Sequence, residues 1–342
     1  GFRLQCQTDD PAWNDLVEAR WREWGEHEAD SRGVAPLDAL LALTYRSYLR
    51  DGDVGAVLQS DGRIRLVESD EISSRAGPFR PDAGVDGIDL DEQGRVLRYH
   101  INADARGGYV DRRLQGEQIT VDAKDMLFLA RRQRLGQTRG VSAFAGVSWI
   151  LDQIDGQIEA VTVAARMAAC FGLILKRAAR FPGTQTVADS AAITRKKLRL
   201  EPGAMLEIDP GESVEQIAPT HPAQSWPPMI QLLARLVGRP FGLPLEVILL
   251  DFSQSNFSSS RGALLQAWQT WRCDQAVLER FLEAVFAWRL AAWTRDGTLP
   301  FREDWQSHVW LRPGWQWVDP QAEVQAGMAA IDAGFDTASA IA

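Results

Sequence analysis

The sequence predicts an α+β fold divided into more than one lobe, and three observations carry that prediction. Apolar residues recur at three- and four-residue steps over residues 10–28, 36–50, 142–169 and 262–293, the spacing of one helix face. Short apolar runs separated by turn-forming residues fill residues 54–130, the pattern of antiparallel strands. The chain has 342 residues, more than a single hydrophobic core usually serves, so two or three lobes are expected.

Taken in order, residues 10–28 form an amphipathic helix with Trp13, Leu16, Val17, Trp21 and Trp24 on its apolar side, capped by Asp9 or Asp10 and with Pro11 as its first helical residue. Residues 36–50 carry Leu37, Leu40, Leu41, Tyr45 and Tyr48 at helical spacing and stop at Asp51-Gly52. Residues 54–58 and 64–67 form a hairpin about Ser60-Asp61-Gly62, and residues 85–90 and 95–101 a second about Asp91 to Gly94. Residues 109–114, 119–121 and 126–130 continue the β pattern. The helix over 142–169 presents Val147, Leu151, Ile154, Ile158, Val161 and Ala165, a seam for another helix. Residues 171–175 read as a short β-like run, and residues 204–208 and 214–217 as strands of a small subdomain, left through Pro219, Pro222, Pro227 and Pro228. A helix over 228–237 follows, then the long helix over 262–293, an aromatic β-like stretch over 300–317 and a last helix over 322–333 that closes at Gly334.

The functional signal is concentrated in residues 242–261. An apolar run led by Pro244 (Leu243, Leu245, Val247, Ile248, Leu249, Leu250) predicts a buried, strand-like entry. Ser253, Gln254, Ser255, Asn256, Phe257, Ser258, Ser259 and Ser260 then predict a loop, because Ser and Asn side chains bond their own backbone in place of a regular ladder. Ser258 to Ser260 are candidate caps for the long helix, and Arg261 closes the stretch. Such a loop reads equally as a contact surface or as a solvated connection. Basic residues gather in two other places. Arg131, Arg132, Arg134 and Arg139 suit phosphates or acids of an adjacent subunit, and Lys196, Lys197 and Arg199 suit phosphates or a solvated face.

Composition limits the chemistry. A net charge of -9 disfavours a basic nucleic-acid-binding surface, whereas an acidic wall lets a polyanion slide. Thirteen tryptophans fit either a Trp-rich core or subunit interfaces. Cys6, Cys170 and Cys273 are far apart and odd in number, which argues for a reducing compartment and against a disulfide framework or zinc site. No apolar run approaches membrane-spanning length and no signal peptide opens the chain. A chain that opens on Gly1 and stops in an Ala-rich run is expected to be the ordered part of something longer.

Catalytic signatures do not emerge. Residues 89–100 start like a calcium loop but end on His100 where Glu is needed, so they read as a turn. Phe144 stands where a nucleophile elbow needs its second Gly, and there is no phosphate-binding Gly-rich loop. His27, His100, His221 and His308 are scattered, and no cofactor is expected. The alternative from another class is a metal-dependent nuclease or protease assembled from dispersed acids.

Three motifs share a resemblance: Asp251-Phe252-Ser253 with Asn256 to Ser259 and Arg261 after Gly242-Leu243-Pro244; Arg134 to Ser142; and Trp310 to Pro320 with Glu323 and Gly334 to Thr337. In this order they resemble the lambda-type portal proteins of tailed phages, a family that usually has Tyr where this chain has Phe257. The resemblance implies a portal-type fold, with an α/β wing, a helical stem and a small β-rich clip, assembling as a ring of typically twelve. Residues 1–178 are then wing, 179–223 clip, 224–241 stem, 242–261 the region facing the channel, and 262–342 a long wing helix, the aromatic β segment and the start of the C-terminal helices, with the crown largely absent. It implies no enzyme activity and a place at one capsid vertex of the virion, after assembly in the host cytoplasm. Double-stranded DNA would pass through the channel during packaging and ejection. The implied partners are other copies of the chain, the large terminase subunit, head-completion or adaptor proteins and the major capsid protein.

Overall fold

The computed structural model describes residues 1–73, 86–102, 118–169, 172–177, 212–217, 226–253, 256–315, 320–335 and 337. Its elements in chain order are β1 (Arg3–Cys6), α1 (Pro11–His27), α2 (Leu37–Arg50), β2 (Asp53–Leu58), β3 (Ile64–Glu68), β4 (Ile88–Leu90), β5 (Val96–Asn102), β6 (Gln118–Asp122), β7 (Met126–Ala130) and α3 (Ser148–Ala169). These are followed by β8 (Gly172–Arg177), β9 (Glu212–Ile217), α4 (Trp226–Gly238), α5 (Leu245–Leu249), α6 (Phe257–Arg295), β10 (His308–Leu311) and α7 (Pro320–Asp332). Every strand pairing is antiparallel, in the sheets β1-β10, β3-β2-β7, β4-β5-β6 and β8-β9.

The main core joins the two ends of the chain. Trp13, Val17, Trp21 and Trp24 step by four, four and three along α1, so all four face inward, against Leu282, Val285, Phe286 and Trp293 of α6 and Trp310 of β10. Ring contacts hold the set: Trp21 lies 5.5 Å from Phe286 edge-on and 5.0 Å from Trp24. The indole N–H groups of Trp13 and Trp24 donate to the carbonyls of Pro300 and Gly62, both at 2.9 Å. These two acceptors satisfy indole N–H groups that burial has taken from water. Most tryptophans of the described residues therefore pack this core, while Trp149 on α3 is exposed.

Helix α1 begins as its sequence predicts. Asp10 accepts from the N–H groups of Ala12 and Trp13, and Pro11 opens the first turn. Both hairpins form, and the Asp91 carboxylate accepts from Gln93 and Arg95 N–H while Gly94 sits at φ +78°, which is the turn reading of residues 89–100.

Several expectations are corrected. Leu16 points to solvent. Strand β1 is not predicted from its four residues; its partner β10, within the expected β-like stretch, lies some three hundred residues on. Helix α3 starts at Ser148, after a run of turns over residues 142–147. On the predicted seam, Val147 and Ile154 pack with Ile150 against Ile230, Leu233, Leu236 and Val237 of α4, but Leu151 and Ile158 are exposed. The run after Pro244 is not a buried strand but the short helix α5, with Pro244 in extended conformation at its start and Leu249 and Leu250 exposed. The strands expected over residues 109–114 and 204–208 lie outside the described residues.

Candidate nucleic-acid interface

Residues 238–253 form a corner between α4 and the approach to α6, and small residues make it possible. At Gly238 a Cβ would meet Ile248 and fall 2.7 Å from the Leu243 carbonyl oxygen. Gly242 has φ +63°, where a side chain is strained, and a Cβ there would fall 2.5 Å from Thr270 Oγ1 on α6. The corner is also fastened from outside: the Phe144 and Phe241 rings are 4.7 Å apart.

At the tip the chain reverses once more. Leu250 takes up a left-handed conformation (φ +51°) although it is not Gly, which costs about 1 kcal/mol or more. Its side chain is 83% exposed, and Leu249 and Phe252 beside it are also exposed. The Asp251 N–H donates to the Glu246 carbonyl at 3.1 Å, and Asp251 Oδ1 accepts from the Ser253 N–H at 2.9 Å. The hydroxyl and N–H of Ser253 hold the Asp251 carboxyl below the usual range, so the tip keeps its negative charge at neutral pH.

Helix α6 opens earlier than expected, at Phe257. Its cap is Asn256, whose Oδ1 accepts from the Ser259 N–H at 2.8 Å and the Ser259 hydroxyl at 2.6 Å. Ser258, Ser259 and Ser260 are therefore first-turn helix residues and not loop, with Arg261 in the second turn, because one Asn ahead of the serines satisfies the turn they were expected to cap. Ser253 and Asn256 remain non-helical and exposed, while Gln254, Ser255 and the Phe257 side chain lie outside what is described. From residue 240 to residue 260 the chain has no Lys or Arg and two acids, Glu246 and Asp251. This tip is uncharged or acidic, apolar at Leu249, Leu250 and Phe252, and polar at Ser253 and Asn256.

The arginines separate into two kinds. Arg132 and Arg134 are exposed and Arg131 is half-buried. Arg139 is an internal fastener. Its Nε and Nη2 donate to the two oxygens of Asp53 at 2.8 and 2.9 Å, and Nη1 donates to the carbonyls of Ile72 and Asp86 at 2.8 and 2.9 Å. Nη2 also reaches the carbonyl and hydroxyl of Ser69 at 2.6 and 2.8 Å. Asp53, 1% exposed, takes a further bond from the Gly140 N–H at 2.8 Å. One side chain thus ties the start of β2 to the segments before and after residues 74–85, and so joins the β3-β2-β7 and β4-β5-β6 sheets. No periodicity exposes this link; the only hint is a Gly beside each partner, Gly52 and Gly140, whose backbones meet. Lys196, Lys197 and Arg199 lie outside the described residues. Among the described residues no cluster of three His, Cys, Asp or Glu could hold a metal ion, and no helix is long and apolar enough to cross a membrane.

The family model described as phage portal protein, lambda family, matches residues 1–275. A probable portal protein of Halomonas phage phiHAP-1 is 21% identical over 345 residues, covering 95% of this chain and 66% of its own. The portal protein of Escherichia phage N15 is 21% identical over 386 residues, covering 97% of this chain and 71% of its own. This chain therefore spans about two thirds of the length of these relatives. Among solved structures, a chain from the virion of a native gene transfer agent particle superposes with a TM-score of 0.54 at 13% identity, covering 98% of this chain and 81% of that one. A chain from the neck of such a particle, computed with C12 symmetry, gives 0.50 at 14% identity, covering 95% and 88%.

Proposed function

Because the chain belongs to the lambda family of phage portal proteins, we propose that copies of it close into a ring, of twelve as in the C12 neck, and that residues 238–261 form the inner lip past which double-stranded DNA moves. A ring needs heterologous contacts, one surface of each copy meeting a different surface of the next. The observation that carries the lip assignment is its electrostatics. The tip is exposed at residues 249–253, and the chain has no cation from residue 240 to residue 260, with Arg239 and Arg261 at the two ends of that run. Phosphate contacts through Lys or Arg give tight, salt-dependent attachment. A lip of serine, asparagine and apolar side chains leaves DNA free to slide.

On this reading residues 1–178 and 262–342 form the wing, 179–223 the clip and 224–241 the stem. Two details refine those limits. Strand β8 pairs with β9, which supports a clip that starts at Gly172, and α3 packs on α4, which supports a two-helix stem. The clip then faces the terminase large subunit during packaging and head-completion proteins afterwards, and the wing faces the major capsid protein. The role is structural and the location is one vertex of the virion.

Negative-stain microscopy of the purified chain, with nuclease assays in Mg²⁺ and Mn²⁺, tests the assembly: rings without hydrolysis are expected, and a monomer that cuts DNA would point to an enzyme. The lip is tested by Phe257→Ala with Ser258→Ala. Rings should still form while packaging or retention of DNA drops, and normal packaging by this variant would remove the lip from these residues.

A further inference from the structure

The C-terminal helix carries an apolar face that is exposed among the described residues. Val324, Met328 and Ile331 are spaced four and three, which places them within one narrow stripe of the helix; Phe335 follows just beyond its end, and all four are exposed. The last is held in position. Gly334, at φ +74°, donates to the Ile331 carbonyl at 3.0 Å and the Phe335 N–H donates to the Ala330 carbonyl at 2.9 Å, the paired bonds of a Schellman motif. That motif normally lays the residue at this place back against its own helix. Here Phe335 is 88% exposed. After Arg312 the chain has no Lys or Arg but four acids, Asp319, Glu323, Asp332 and Asp336.

A groove of about 340 Å³ on the wing has the complementary character. Trp13, Leu290, Ala291, Phe301 and Trp305 give it apolar walls, and Arg295 and Arg302 also line it. Arg302 is held by Asp304 and Asp10, but Arg295 is exposed and has no acid partner among the described residues.

We propose that in the assembled ring the α7 stripe of one copy seats in this groove of the next copy, with the exposed Asp332 toward Arg295. The occupant is a second copy because both faces lie on this chain and differ from each other, which is the heterologous arrangement that a closed ring requires. The inference rests on the ring reading and adds to it which surfaces meet.

A photo-cross-linker, benzoylphenylalanine, placed at position 328 tests it on the full chain. Rings are first confirmed by microscopy and then irradiated. The expected product has the mass of two chains, with the cross-link mapped to residues 287–305. Phe335→Asp, which would force an unpaired carboxylate into an apolar groove, is expected to lower its yield roughly tenfold or more. Rings that cross-link only within one chain, only elsewhere, or not at all would overturn the docking and leave the portal reading standing. Absence of rings from the unmodified chain would overturn both.

Discussion

Replacing Arg139 with Ala should be among the most damaging single changes in the β-rich part of the chain. It removes six hydrogen bonds at once, two of them to a carboxylate that is 1% exposed. What remains for Asp53 is a single N–H from Gly140. Breaking a buried ion pair by deleting one partner costs about 3–5 kcal/mol, most of it from the charge left behind. The Arg139 side chain is 19% exposed, so water can reach part of the gap, and the expected loss lies near the lower limit, about 3 kcal/mol. Against a domain stability of about 5–15 kcal/mol that is a large share. Arg139→Lys keeps the charge without the fork, and about half the loss is expected. Urea unfolding of the isolated subunit, followed by far-ultraviolet circular dichroism, measures these differences. Asp53→Ala with Arg139→Ala should lose less than the sum of the two single changes, by at least about 1 kcal/mol. A loss below about 1 kcal/mol for Arg139→Ala, or simple additivity of the pair, would refute the claim that this contact staples the two sheets.

Three other outcomes follow from the same structure. Asn256→Ala should cost about 1 kcal/mol and raise amide exchange in the first turn of α6, because the Ser259 N–H loses its acceptor; unchanged exchange there would show that another group caps the helix. Leu250→Gly should leave stability unchanged or raise it by up to about 1 kcal/mol, since it relieves a left-handed backbone and gives up almost no packing; a measured loss above that would mean that Leu250 is covered in the folded subunit. Burial, helped by the Glu18 charge, pushes the Cys6 thiol up to about 12 from 9.0. Its contribution to stability is complete below pH 9 and declines, by roughly 1.4 kcal/mol per pH unit, as pH rises from 9 toward 12, where the unfolded chain gives up the proton first. Cys6→Ala should therefore flatten the alkaline limb of a stability–pH curve, and an identical limb in both proteins would exclude the thiol as its source.

Local patterning made part of this fold legible. Trp13, Val17, Trp21 and Trp24 give the inward face of α1, Asp10 and Pro11 its start, and the turns at Gly62 and Gly94 the hairpins. Contacts between distant segments were not legible. Strand β1 has four residues and gains its regularity from β10, and the Arg139–Asp53 pair exists only because Gly52 and Gly140 meet. The candidate interface falls between these cases. Its polar composition marked the stretch, but Ser258 to Ser260 read as loop because small hydroxylated residues favour turns, and the single cap at Asn256 was enough to make them helical. The apolar run after Pro244 was ambiguous between strand and helix, since a short run shows no usable period.

Helix α6 runs for 39 residues without a break, about 58 Å at 1.5 Å per residue, from the capped turn beside the tip to the tryptophans at its far end. A rod of that length cannot bend locally at low cost, so its two ends tilt together. A sideways load on Asn256 is delivered as torque to Phe286 and Trp293, and any displacement of that aromatic cluster swings the tip. The position of the tip and the seating of that cluster are therefore one mechanical variable of this subunit.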